Sequence, residues 1–325
     1  MSFPLFHRPG SVVFLDDDSE YLEVLAMVLP QQWHVQMFQR PARCIYFLHR
    51  EIRRWEQDRW HQQNMVDLWR QGKPLIPQIL AYWARTPDRY DLTQACVVDF
   101  SMPGMDGLQV LSELTEWPGA RILLTGQADE RVAVGAFNRG LIDQYIPKQA
   151  DDVAAQLIEA VGTLSDRRHR QHDLIWRCTL RPEQLKLLGT PGVQSALRTY
   201  AAGQWSEYVM IGQPFGVLGM DAEGRVSWLQ LETRDGLAAM AEVAELHGVD
   251  RPGLQDIRRG RRLAPVEVRQ ALALKGDYEL LPAFSPAGVD TLLAALYELP
   301  ASTLPASLQG YHAWLSGQAR RRIDD

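Results

Sequence analysis

Between residues 11 and 150 the apolar positions alternate between short continuous runs and helical spacing. That alternation lays parallel strands side by side with helices on both faces. The first run, Ser11 to Leu15, ends on Asp16, Asp17 and Asp18. A helix is predicted from Ser19, a residue suited to an N-cap, with Tyr21, Leu22, Leu25 and Val28 at helical spacing and Pro30 at its end. Trp33 to Phe38 reads as a second strand. Pro41 suits the first turn of a second helix, which carries Ile45, Leu48, Ile52 and Trp55 on one stripe. Ala95 to Asp99 is an apolar run closed by an acid, the signature of a buried parallel strand delivering a residue to its carboxyl edge. After the turn Ser101-Met102-Pro103-Gly104 come a helix from Gly107 to Trp117, a strand from Arg121 to Thr125, and a helix from Asp129 to Arg139 stopped by Gly140. A last strand, Gln144 to Pro147, ends at Lys148.

Asp151 to about Thr179 is helical, with Leu157, Val161, Leu164 and Ile175 near heptad spacing, although Arg168 and Gln171 interrupt the seam. A plain connecting helix and a dimeric coiled coil both fit. Gly189 to Gly192 and Gly203 punctuate the entry to a second domain. There Gly216 to Met220 and Arg225 to Leu231 flank Asp221-Ala-Glu-Gly224, the chemistry of a hairpin turn. Helices are predicted over 235–247 and 265–274, and strands over 278–284 and 292–299. The whole reads as an α/β domain with a doubly wound five-stranded parallel sheet, followed by a smaller α+β domain. The expected division is 1–150, a connecting helix over 151–180, and 181–325.

Length agrees, since 325 residues exceed one typical domain. No apolar stretch reaches the ~18 residues of a membrane span, and Met1 to Gly10 has no secretory pattern, so a cytoplasmic protein is expected. Cys44, Cys96 and Cys178 have no metal-type spacing and fit reduced structural thiols. The net charge of −6 argues against a chain dominated by nucleic-acid binding.

In a sheet of strand order 2-1-3-4-5, the strands ending at Asp16-Asp17 and at Asp99 are neighbours at the crevice. Carboxylates crowded there favour a hard divalent cation with oxygen ligands, most naturally Mg2+. A metal and an ammonium group together make a carboxylate usable as a nucleophile towards a phosphoryl group. Lys148 supplies the ammonium and Thr125 a hydroxyl, each at a strand end.

Four segments in order, Phe14-Leu-Asp-Asp-Asp-Ser19, Val97-Val-Asp-Phe-Ser-Met-Pro-Gly-Met-Asp-Gly107, Leu124-Thr-Gly126 and Tyr145-Ile-Pro-Lys148, resemble the receiver domain of bacterial two-component response regulators. The resemblance implies a flavodoxin-like fold and a phospho-acceptor, Asp99. It implies Mg2+ held by Asp16, Asp17, Asp99 and the Ser101 carbonyl, phosphate contacts from Thr125 and Lys148, and Tyr145 as an aromatic switch. It also implies a cognate histidine kinase or phosphotransfer protein as partner, with homodimerisation as an expected output. Two features depart from the pattern. The family usually places proline after the lysine, often with a cis bond, whereas here Pro147 precedes Lys148 and Gln149 follows. Gln127 stands where the resemblance implies that the family tunes dephosphorylation.

Asp17 and Asp99 also stand nearly twice as far apart as is usual, and the surplus, about 50–92, carries Trp55, Trp60, Trp69, Trp83, Tyr82 and Tyr90. It reads as an extension of the second helix broken at Gly72 and Pro74, then another helix with Ile76, Ile79, Leu80 and Trp83. Such a pair either packs on itself and the receiver or offers a partner surface.

Residues 181–325 carry no recognisable catalytic signature. Their hairpin, helices and later strands show a faint resemblance to the sensory PAS fold, which implies an interaction domain or a small-ligand sensor. The cluster Arg258-Arg259-Gly260-Arg261-Arg262 offers a rival, a DNA-binding transcription factor, but Lys186 to Asp325 holds 14 basic and 16 acidic residues. An enzyme with an unrecognised site in this domain is the other alternative; His247 and His312 are isolated there.

Overall fold

The computed structural model describes residues 3–126, 130–168, 170–274, 279–286, 292–318 and 322–324. In chain order it begins with a short strand, β1 (Phe6–His7), then β2 (Ser11–Leu15), α1 (Ser19–Val28), β3 (His34–Phe38), the 30-residue α2 (Pro41–Arg70) and α3 (Leu75–Arg85). Next come β4 (Thr93–Asp99), α4 (Gly107–Glu113), β5 (Ala120–Thr125), α5 (Glu130–Asn138), β6 (Gln144–Pro147) and α6 (Val153–Arg168). These are followed by α7 (Arg170–Arg177), α8 (Pro182–Leu188), α9 (Pro191–Gln204), β7 (Glu207–Gly212), β8 (Phe215–Met220) and β9 (Val226–Thr233). The chain closes with α10 (Leu237–Leu246), α11 (Arg251–Arg258), β10 (Arg262–Leu263), α12 (Val266–Ala271), β11 (Leu281–Pro282), β12 (Leu292–Glu298), α13 (Tyr311–Ser316) and β13 (Arg322–Asp324).

The elements sort into two compact units that interleave along the chain. Pro9–Trp60, Asp88–Arg170 and His312–Asp325 form an α/β unit, and Met1–Arg8, His61–Pro87 and Gln171–Tyr311 form an α+β unit. The expected division at 150 and 180 is sequential, and these units are not.

In the α/β unit the parallel strands run β3-β2-β4-β5-β6, the expected 2-1-3-4-5 order, and β13 adds a sixth parallel strand beside β3. Every residue of β2 and β4 is buried, as strands covered on both faces require. One face packs Val12, Phe14, Val97 and Leu124 against Leu22 and Leu25 of α1 and Leu157 and Leu164 of α6. The other packs Val13, Leu15, Val98 and Leu123 against Leu48 of α2, Leu111 of α4 and Ala136 of α5. The seam at Leu157, Val161 and Leu164 is therefore the core face of a sheet-flanking helix, neither a free connector nor a coiled-coil seam. α7 belongs to the other unit, where Trp176 is buried.

Two local readings shift. Asp18, not Ser19, caps α1, its carboxylate accepting from the N–H groups of Glu20 (2.9 Å) and Tyr21 (3.1 Å). Gln127 and Asp129 lie outside the described residues, and α5 is described from Glu130.

The insert breaks where expected, at Gly72, whose φ of +94° is readily reached only without a Cβ. Trp55, Tyr82, Trp83 and Tyr90 are buried while Trp60 is exposed, so packing absorbs most of these aromatics.

The α+β unit centres on an antiparallel meander, β1-β7-β8-β9-β12, with the N-terminal β1 forming one edge. The predicted turn closes β8 and β9: Asp221 accepts from the N–H groups of Glu223 and Arg225, and Gly224 has φ +93°. The strand predicted over 278–284 reduces to β11; Tyr278 lies outside the described residues.

Candidate functional site

Parallel strands end on the same edge, so the residues just past β2, β4, β5 and β6 are brought together. Asp16 follows β2 and is buried; its Oδ1 accepts a 3.1 Å hydrogen bond from the Asp18 N–H, which folds the acidic turn back onto the strand end. Asp17 is exposed. Asp99 closes β4 and is buried, and ligand oxygens of Asp16, Asp17 and Asp99 all lie within 4.8 Å of one another. No second group of this kind occurs among the described residues.

The loop after Asp99 is tightly specified. The Phe100 N–H donates to Leu124 O (2.9 Å) and the Gly107 N–H to Phe100 O (2.9 Å). Gly104 takes φ +79°, and a Cβ on Gly107 would lie 2.2 Å from Asp99 O. Asp106 and Gln109 form a reciprocal capping box that starts α4. Exposed Ser101 sits on this loop beside the acids.

Lys148 crosses the crevice. Its Nζ lies 2.6 Å from Asp16 Oδ2 and 2.9 Å from Asp99 Oδ1, and its N–H donates to Thr125 O (2.9 Å), tying the end of β6 to β5. Among the described residues only the Gln213–Pro214 bond is cis, so the Lys148–Gln149 bond is trans and the lysine still reaches both acids. Burial alone would lower the Lys148 pKa, but hydrogen bonds and charge from Asp16 and Asp99 carry it above its ordinary value. Burial raises Asp16 above the ordinary carboxylate range despite Lys148 and the Asp18 N–H. Thr125 is buried at the end of β5. Tyr145, half-buried, pairs in register with Leu123 and so shares a sheet face with Thr125. Asp16, Asp17, Asp99, Thr125 and Lys148 thus share one sheet edge, with Ser101 on the loop after Asp99 and Tyr145 on the sheet face that Thr125 occupies. Sequence reasoning missed Tyr21, whose ring centroid lies 4.6 Å from Lys148 Nζ.

Three carboxylates against one ammonium leave a negative crevice of hard oxygen donors, a set that fits a divalent cation such as Mg2+. An acid held beside a metal-type cluster and a lysine can also serve as a nucleophile towards a phosphoryl group.

No family model matches the chain, and no curated protein matches it. Solved structures do. The Legionella pneumophila response regulator LqsR superposes with a TM-score of 0.70 at 21% identity, covering 98% of this chain and 97% of that one. This chain shares that response regulator's fold over nearly its whole length. The five strands β3-β2-β4-β5-β6 of its α/β unit take the flavodoxin-like, receiver-type order. Receiver-domain structures from Clostridium thermocellum (17% identity, TM-score 0.32, covering 49% of this chain and 96% of that one) and Methanospirillum hungatei (16%, 0.32, 50% and 98%) also match.

Outside the receiver unit the other candidate groups are engaged locally. Arg261 pairs with Asp256, and Arg262 Nε lies 4.0 Å from the same carboxylate, so the arginine cluster is partly neutralised. His247 Nδ1 lies 2.8 Å from Val243 O and its Nε2 3.1 Å from Gln270 Nε2; His312, which belongs to the α/β unit, is exposed. A cavity of about 380 Å³ is lined by His247, Asp250, Asp256 and Arg262. There Asp250 caps α11 through the Gly253 N–H. No helix among the described residues is long and apolar enough to cross a membrane.

Proposed function

We propose that the protein is a cytoplasmic two-component response regulator that accepts a phosphoryl group on Asp99 and relays the change to its α+β unit. The observation that carries this reading is Lys148 Nζ bridging Asp16 and Asp99 at 2.6 and 2.9 Å, beside a three-carboxylate cluster on one sheet edge.

In the proposed reaction a carboxylate oxygen of Asp99 attacks phosphorus. The bond from phosphorus to the donor's leaving group breaks, and an acyl phosphate forms. The donor is a histidine kinase, a phosphotransfer protein or a small acyl phosphate. Asp16, Asp17, Asp99 and the Ser101 carbonyl would hold Mg2+, which when bound offsets the negative charge of phosphoryl oxygens and acids. Lys148 exchanges carboxylate partners for a phosphoryl oxygen, and the Thr125 hydroxyl donates to another. Water attack on the acyl phosphate returns the carboxylate slowly.

The relay follows from position. Drawing Thr125 towards the phosphoryl group opens space on the sheet face it shares with Tyr145, which turns inward. α5 beside it exposes Val134 and Phe137, three residues apart on one face (43% and 51%), an apolar contact for a phosphorylation-dependent homodimer. The α+β unit acts as a PAS-like interaction or sensing module for a protein or small ligand. The test is intact mass after incubation with acetyl phosphate. The wild type should gain one phosphoryl group only with Mg2+ or Mn2+, and a phosphorylated Asp99→Asn protein would overturn the assignment.

A further inference from the structure

The Asp16 carboxylate has two claimants. It holds Lys148 Nζ at 2.6 Å, and it belongs to the cluster whose oxygens suit a divalent cation. When a cation binds there, the lysine competes for that carboxylate with a like charge close by. Asp99 is the lysine's other acid partner, and it is the group that must react.

Beneath the ammonium lies Tyr21. Its ring centroid is 4.6 Å from Nζ, well inside the range of a cation–π contact. The same acidic turn sets its place: Asp16 Oδ1 accepts from the Asp18 N–H, and Asp18 Oδ1 accepts from the Tyr21 N–H at 3.1 Å. The ring also packs against the apolar cluster under the crevice. Its hydroxyl is buried and makes no hydrogen bond among the described residues. The part of Tyr21 that meets the site is therefore its π face, a partner for Lys148 that offers no oxygen ligand to a divalent cation.

We infer that Tyr21 is a positioning residue for the phosphotransfer proposed above: its ring holds the Lys148 ammonium over Asp99 when metal draws on Asp16. Tyr21 touches no reacting atom and acts through Lys148. The inference rests on the phosphotransfer reading only for the use made of the lysine.

Two measurements test it on the full chain. In the first, with metal chelated, urea unfolding is followed for wild type, Tyr21→Leu, Lys148→Met and the double variant. The two changes should be non-additive by about two- to fivefold in the folding equilibrium constant, as expected for a partly shielded cation–π pair. Full additivity would overturn the contact. In the second, the acetyl phosphate rate is measured at saturating Mg2+. Tyr21→Phe, which keeps the ring, should stay within about twofold of wild type. Tyr21→Leu should fall about three- to tenfold, and the fall should vanish in the Lys148→Met background. Equal losses in Tyr21→Phe and Tyr21→Leu would overturn the role of the ring. A wild type that takes up no phosphoryl group would instead overturn the proposed function, and the metal-free cycle would still judge the contact.

Discussion

Glu51 of α2 accepts a 2.6 Å hydrogen bond from the Thr93 N–H at the head of β4, the strand that ends six residues later at Asp99. Its other oxygen holds Arg54 at 2.6 Å, and Arg54 reaches Asp91 at 3.0 Å. Trp55 adds a hydrogen bond to Thr93 O. The helix leading into the long insert is thus bonded to the strand carrying the acceptor. Glu51→Ala leaves the buried Thr93 N–H unpaired and should cost about 1–3 kcal/mol, whereas Glu51→Gln, which keeps an acceptor, should cost less. Urea midpoints check both. Deleting residues 52–90 removes Arg54 and Trp55 from the α/β unit and the buried side chains of α3 from the α+β unit, so both units should lose stability and any partner surface should change.

A second expectation concerns the loop after the acceptor. Gly107→Ala forces a Cβ to within 2.2 Å of Asp99 O, so loop or strand end must move. A loss of about 1–3 kcal/mol is expected, together with slowed phosphoryl uptake. Gly104→Ala, at φ +79° with open space around it, should be milder on uptake because it strains only its own turn.

Burial raises Asp16, so the native state keeps this proton to a higher pH than the unfolded chain does. Between the two pKa values the native state binds more protons, and stability falls as pH rises through that window. Asp16→Asn removes this penalty. Relative to wild type, the variant's stability should improve as pH rises through that window, offset by loss of the carboxylate that Lys148 Nζ holds at 2.6 Å. The same variant should lose Mg2+ affinity, measured by calorimetry. A variant with the wild type's pH dependence and unchanged Mg2+ affinity would contradict this placement of Asp16.

The receiver unit was legible because each strand that builds the crevice is a short apolar run ending in a chemical residue, and strand ends in a parallel sheet share one edge. Asp16, Asp17, Asp99, Thr125 and Lys148 follow from that rule. Position 18 against 19 as the cap was not decidable, since Asp and Ser cap equally well and only side-chain geometry separates them. The stripe Leu157, Val161, Leu164 was visible, but a heptad seam and a sheet-covering face look alike over so few turns. Two-residue β1 and three-residue β13 carry no periodicity at all, so the interleaving of the units was hidden. Tyr21 and Lys148 meet across the sheet edge, and nothing in their separate surroundings announces the contact.

The relay predicts a change in assembly. Beryllofluoride with Mg2+ should shift the wild type towards dimer in sedimentation, with a smaller shift in Thr125→Ala. Phe137→Ser on the exposed face of α5 should abolish it. Four unchanged distributions, wild type and Thr125→Ala with and without the mimic, would place the relay within one chain.

The most direct measurement concerns the acceptor itself. After reaction with acetyl phosphate and Mg2+, reduction with borohydride converts a phosphorylated aspartate to homoserine, which peptide mass spectrometry locates. Homoserine should appear at position 99 alone, and nowhere when Mg2+ is chelated. Homoserine at position 16 or 17, or none anywhere in protein that binds Mg2+, would contradict Asp99 as the acceptor.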